Sequence, residues 1–269
     1  LALARGARDR GANVVLADIR EDALEESASA LGGDVLAVPT DVADPEAMLA
    51  LADATIQRFG KANLLFNNAG VFASGLTWNV SVEEYDWVIG VNQRSVIHGI
   101  RAFVPRMIEQ GDPCHVITTS SGAGISVNPG FCSYSMTKHA VLALTEALHL
   151  DLAAEGIKNI GVTVVMPGVV QSGIMHPEKT GPAALQAELK VRLENENLGR
   201  LEAAMRAGVD RGLPANELAD QVYQAIANGD LYVLPNFADA ASQGIAQAIA
   251  IGRATGDNGY AKVHSHFYD

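Results

Sequence analysis

Tyr134 and Lys138 stand four residues apart in Tyr134-Ser135-Met136-Thr137-Lys138, a stretch that reads as the opening of a helix. At that spacing the two side chains share one helix face, one turn apart. A phenol ordinarily loses its proton near pH ~10, too high for exchange at neutral pH. A nearby ammonium favours the phenolate and moves it toward a useful value. The pair is therefore a candidate proton donor and acceptor. Ser120 and Ser121 end the apolar run HVITT just upstream. A hydroxyl there can hold a substrate oxygen beside the phenol. A lone Tyr-x-x-x-Lys is common by chance, so its company decides its weight.

That company sits at other strand ends. Asp18 closes the run NVVLA. A carboxylate in that place can accept the hydroxyl protons of a ribose and would repel a 2′-phosphate. Acids also commonly follow strands with no such role. Asn67-Asn68-Ala69-Gly70 follows LLF directly, and it permits close backbone approach and side-chain bonds to the main chain. An ordinary turn would read the same way. Asn92 falls inside a long helical stretch. Asn is a poor interior helix residue, so it is either a plain surface residue or the mark of a local distortion that holds water.

The elements that must position these groups alternate. The runs VVLA, DVLAV, ANLLF, HVITT, GVTVVM and LYVL are short and unbroken, which predicts strands buried on both faces of a parallel sheet. Helical patterning lies between them over Asp22–Leu31, Pro45–Phe59, Val82–Gln110 and Tyr134–Glu155, with a kink expected at Pro105. The fold class is therefore α/β, a doubly wound parallel sheet in three αβα layers. A helical or flexible insertion over 169–213 precedes a helix at 214–228 and the last strand, and residues 236–269 form a C-terminal extension. Residues 1–269 read as one domain.

Composition sets the limits. Of 269 residues, 48% are hydrophobic and 6% aromatic, which suits a globular aliphatic core. The net charge of −12 argues against nucleic acid as a partner. It leaves room for a phosphate-bearing cofactor held by backbone N–H groups. Cys114 and Cys132 are too few for a disulfide framework or a cysteine-rich metal site. No membrane span and no secretory signal are visible, so a cytoplasmic location is expected. His264 and His266, two apart in a polar tail with no third ligand, read as solvated, and no metal is expected. Trp87 reads as packing, and Asp151 with Glu155 as a solvated face.

Asp18, Asn67-Asn68-Ala69-Gly70, Asn92, Ser121, Tyr134, Lys138 and Pro167-Gly168 occur in this order. Taken together they resemble the short-chain dehydrogenase/reductase family, in its shorter single-domain branch, over about residues 1–235. The resemblance implies a Rossmann-like fold and hydride transfer between a nicotinamide and a substrate carbon. Tyr134 would be the general acid/base, and Lys138 would lower its pKa and bind the nicotinamide ribose. Ser121 would orient the carbonyl or hydroxyl, and Asn92 would support a water in a proton relay. Asp41 and Val42 would contact the adenine, and Asn68, Ala69 and Gly70 would line the adenosine side. Pro167, Gly168 and Val170 would flank the nicotinamide, with Ser172 where the family usually has Thr. Asp18 favours NAD over NADP, although Arg20 two positions later could meet a 2′-phosphate.

One departure stands out. The family's glycine-rich loop is absent, and counting back from Asp18 places it just before Leu1. The first strand and that loop are therefore expected to be missing from the sequence as it stands. On the substrate side the resemblance points to the loop 169–213, with Val169, Val170, Ile174, Met175 and His176. Phe72, Trp78, Ala123, Val127 and Phe131 are expected on the same cleft. Such a wall suits an uncharged, hydrophobic secondary alcohol or ketone. The alternatives are an NADPH-dependent carbonyl reductase and a non-catalytic dinucleotide sensor. A homo-oligomer, tetramer or dimer, is implied by the resemblance alone.

Overall fold

A computed structural model describes residues 1–176, 181–192, 194–235 and 240–263. The first half alternates helix and strand. In chain order it runs α1 (Ala2–Asp9), β1 (Val14–Asp18), α2 (Glu21–Leu31), β2 (Val35–Pro39), α3 (Pro45–Phe59) and β3 (Leu64–Asn67). Then come α4 (Val82–Ile89), a π-helical segment Gly90–Arg94, α5 (Ser95–Gln110), β4 (Cys114–Thr119), α6 (Cys132–Ala154) and β5 (Ile160–Val165). The last part holds α7 (Ala183–Arg192), α8 (Glu196–Asp210), α9 (Ala215–Asn228), β6 (Tyr232–Val233), α10 (Ala240–Thr255) and α11 (Gly259–Val263).

Local sequence explains the boundaries. Asp44 caps α3 by accepting from the Glu46 N–H, with Pro45 in the first turn. Ser81 caps α4 in the same way through Glu84. Gly60 and Gly111 end α3 and α5 with positive φ, a conformation that costs glycine nothing. The apolar runs of β4 and β5 are buried almost throughout, as strands covered on both faces must be.

All strand pairs are parallel. They form two sheets, β2–β1 and β3–β4–β5–β6. Among the described residues no strand lies between β1 and β3. The facing edges are bridged only by side chains, with Val14 and Leu16 in one apolar cluster with Leu64 and Phe66. Tyr223 of α9 fixes α1 above the gap by donating to the Leu3 carbonyl at 2.6 Å.

The long helix expected over Val82–Gln110 is interrupted, and the interruption contains Asn92. The reading of Asn92 as a distortion holds, and the reading as a surface residue fails. The helix resumes and runs through Pro105. No described helix is long and apolar enough to cross a membrane. Both cysteines are free, Trp87 packs on Val71, Ala73 and Val88, and Asp151 and Glu155 are exposed. His264 and His266 lie outside the described residues.

Candidate active site

One cleft of about 2060 Å³ runs along the carboxyl ends of the strands and into the gap between β1 and β3. Its walls carry Asp18, Asp41, Val42, Asn68, Ala69, Gly70, Ser121, Tyr134 and Lys138. Pro167, Gly168, Val170 and Ser172, which follow the carboxyl end of β5, line it as well. Residues spread over the chain are thus brought to one edge of the sheet, the usual ligand position in open α/β folds.

The centre of the cleft is built from β4 and α6. The Ser121 hydroxyl stands beside the Tyr134 phenol, close enough to favour its ionised form, and accepts from the Ala123 N–H at 3.1 Å. Ser120 faces the other way. Its hydroxyl is buried and donates to the Lys138 carbonyl at 2.8 Å. Of the two serines, Ser121 is the one beside the phenol. Lys138 lies under the site, with Nζ 5.6 Å from the centre of the Tyr134 ring. It donates to the Thr119 carbonyl at 2.9 Å.

Burial controls both titrations. It lowers the Lys138 ammonium from its ordinary value to about 8. It pushes the Tyr134 phenol up, and the neighbouring Ser121 hydroxyl works in the opposite direction. The sequence assigns the lowering of the phenol to Lys138. In this structure burial is the larger influence and holds the phenol above its ordinary value.

Asn92 is a buried brace behind this centre. Its Oδ1 accepts from the Val71 N–H at 2.7 Å, and its Nδ2 donates to the Val71 carbonyl and to the Thr137 hydroxyl. It ties the π segment to the loop after β3 and to the active helix. Asn68 meets the Thr119 hydroxyl at 3.1 Å. Asn67 is buried and packs where Gly99 leaves room, since a methyl there would run into Asn67 Oδ1. Asp18 accepts from the Arg20 N–H at 3.0 Å and ion-pairs with its guanidinium at 3.6 Å. Asp41 accepts from the Ala43 N–H.

The chain has a family in the plain sense. The family model for short chain dehydrogenases matches residues 1–182. It belongs to the short-chain dehydrogenases. It is 34% identical over 244 residues to a 1-deoxy-11-beta-hydroxypentalenate dehydrogenase of Streptomyces avermitilis, covering 89% of this chain and 80% of that one. To a C alpha-dehydrogenase of a Sphingobium species it is 33% identical over 229 residues, 84% of this chain and 72% of the relative. A short chain dehydrogenase/reductase from Burkholderia phymatum, solved in complex with NAD, superposes with a TM-score of 0.85 at 34% identity. That alignment covers 95% of this chain and 92% of the other. The activity is therefore that of an oxidoreductase, and the parallel α/β architecture is the family's.

The remaining wall of this short-chain dehydrogenase is apolar. Phe72, Phe131, Met175 and Val209 form one buried cluster with Tyr134, Val169, Ile174, Leu201 and Met205 against it. The Phe72 ring meets those of Phe131 and Tyr134 edge-on, at 4.9 and 5.2 Å between centroids. Ala123, Val170 and His176 also line the cleft. Trp78 and Val127 do not. Trp78 is 77% exposed, because its turn, closed by Asn79 and Val80 N–H groups on the Leu76 carbonyl, carries it outward. Val127 is 37% exposed on the loop before α6.

Several wall residues escape the motif reading. Leu201, Met205 and Val209 recur every four residues along α8, which is the signal of one helix face. Ile245 and Ala246 of α10 reach the rim from the C-terminal extension. Nothing in the local sequence points that helix toward the cleft.

Proposed function

We propose that this chain interconverts a hydrophobic secondary alcohol and its ketone with NAD, using Tyr134 as the general acid/base. The observation that carries the reading is the Tyr134 phenol beside Ser121, at the end of an apolar pocket and with the buried Lys138 ammonium 5.6 Å from its ring. The residues fit a dinucleotide. Asp18 stands at a strand end for a ribose, Gly70 lies against Lys138 Nζ, and Pro167, Gly168, Val170 and Ser172 also line the cleft. A bound nicotinamide supplies the hydride acceptor or donor.

The chain's own groups do the rest. Ser121 holds the substrate oxygen next to the Tyr134 hydroxyl. Tyr134 takes the hydroxyl proton in oxidation and returns it to the carbonyl oxygen in reduction. Lys138, charged below pH about 8, holds a positive charge beneath the phenol where a phenolate develops. Asn92 keeps the active helix and the loop after β3 in register. The apolar wall excludes water and selects a carbon skeleton with no charge near the reacting centre. The relative named for 1-deoxy-11-beta-hydroxypentalenate supports a hydroxylated carbon skeleton as substrate.

The cofactor choice rests on Asp18. Arg20 favours the second reading, an NADPH-dependent carbonyl reductase, but its guanidinium is already paired with Asp18. We take residues 1–269 as one catalytic domain. Exposed Ile108 of α5, with Met136 and Leu150 of α6, supports association with further copies, which a sedimentation measurement reads. The decisive experiment is a panel of secondary alcohols with NAD⁺ and NADP⁺, followed by reduced-cofactor absorbance. Turnover with NAD⁺ on apolar alcohols is expected. Tight binding of either dinucleotide without turnover on any alcohol or ketone would favour a sensor instead.

A further inference from the structure

We propose that Ser74 is the point at which both helices of the substrate loop are clamped to the body, with Arg192 and Glu202 as the positioning residues. The proposal rests on the reading of the cleft as a substrate site. Arg192, at the end of α7, donates through Nη1 to the Ser74 carbonyl at 2.8 Å. The Ser74 hydroxyl donates to Glu202 Oε2 of α8, also at 2.8 Å. One residue therefore receives α7 through its main chain and α8 through its side chain.

The clamp is buried. Ser74, Arg192 and Glu202 are each less than a tenth exposed, and Glu84 is fully enclosed. Arg192 forms ion pairs with Glu84 of α4 at 2.7 Å and with Glu188 at 2.6 Å. Glu202 also accepts from Arg206 at 2.9 Å. Buried ion pairs of this kind add little net stability compared with well-packed apolar side chains. They do impose one geometry, because every partner that slips leaves a charge unpaired. Gly75 belongs to the same device. A methyl there would come within 2.7 Å of Arg192 Nη1 and 2.5 Å of Val80.

Position matters because of what adjoins the clamp. Phe72 precedes Ser74 by two residues, and Leu201 precedes Glu202 by one. Both belong to the apolar cluster around Tyr134. The Ser74–Glu202 hydrogen bond thus sets how close the α8 wall stands to Phe72, and so the width of the substrate pocket. The clamp touches neither the phenol nor the dinucleotide side.

Three variants of the full chain test this: Ser74→Ala, Glu202→Gln, and Glu84→Gln combined with Arg192→Met. The last removes both charges of the buried Arg192–Glu84 pair and leaves only the part-exposed Glu188 without its partner, which guards against simple unfolding. Amide hydrogen exchange is read first, without substrate. In Ser74→Ala the amides of α7 and α8 should exchange about 10-fold faster while those of α6 keep their protection. Glu202→Gln keeps an acceptor for Ser74 and should stay within about 3-fold of the parent. Kinetics with one small and one bulky secondary alcohol follow. A KM about 5-fold higher for the bulky alcohol in Ser74→Ala is expected, with kcat and dinucleotide affinity within about twofold. Unchanged exchange in α7 and α8, in both Ser74→Ala and the double variant, overturns the clamp. So does a fall in kcat with an unchanged KM. If no alcohol turns over at all, the exchange result still decides the clamp, and the failure belongs to the functional reading.

Discussion

The Lys138 ammonium donates to the Thr119 carbonyl at 2.9 Å from a position that is 3% exposed. A charge held there is costly, and its pKa of about 8 records the cost. In the unfolded chain a lysine titrates near ~10.4. Below pH about 8 the group is charged in both states, and the full penalty of burial is present. Between that value and ~10.4 the unfolded chain holds a proton that the folded one has released, so this penalty fades as pH rises.

Lys138→Met should therefore stabilise the protein while ending turnover. The burial penalty is of order 3 kcal/mol, less ~1 kcal/mol for the lost hydrogen bond to Thr119. A net gain of ~1–2 kcal/mol at pH 7 is expected, shrinking toward pH ~10. Urea denaturation at the two pH values checks it. A lower midpoint at pH 7 would show that the lysine is stabilising where it sits.

Tyr134→Phe removes the proton carrier and little else. Turnover should fall by about 10²–10⁴-fold. Dinucleotide affinity should hold, since the Phe72 edge contact needs only the ring. Fluorescence titration with NADH separates the two effects. Retained turnover contradicts the assignment of Tyr134.

Asp18→Ala should narrow the preference between the two dinucleotides, by weakening NAD and relieving repulsion of a 2′-phosphate. It also frees Arg20 from its 3.6 Å partner. A change of about 10-fold or more in the ratio of dissociation constants is expected. A constant ratio would remove Asp18 from cofactor choice.

Val209→Phe fills the pocket from the α8 side, where Val209 is buried against Phe72, Phe131 and Met175. Bulky alcohols should lose about 10–100-fold in kcat/KM, and small ones much less. Equal losses across a size series would place Val209 outside the substrate wall.

Gly99→Ala tests the support of the loop after β3. The new methyl would collide with Asn67 Oδ1, inside a packed helix–strand contact. A loss of ~1–3 kcal/mol is expected, together with weaker dinucleotide binding through displaced Asn68. A thermal melt and one titration suffice.

Chemistry carried by neighbours in sequence was legible before any coordinates. Tyr134, Lys138 and Ser121 converge because helix period and strand end dictate it. The two-faced burial of β4 and β5 follows from unbroken apolar runs in the same way. Chemistry set by distant packing was not. The side of α8 that meets the cleft depends on Ser74, more than a hundred positions earlier, through Glu202. Trp78 carried the right type for a pocket wall, yet its turn sends it into solvent. Lys138 stands at the expected spacing, but its electrostatic effect on the phenol depends on burial, which spacing does not encode.

The π segment Gly90–Arg94 fits one more residue into its turn than a regular α-helix does. Each residue of an α-helix advances its face by about 100°. Deleting one residue from this segment would restore a continuous ladder of backbone bonds and make the helix locally more regular. It would also rotate α4 against α5 and carry Asn92 away from Val71 and Thr137. The irregular turn works as a phase shifter between two helices, and the site stays in focus because the helix is out of step with itself.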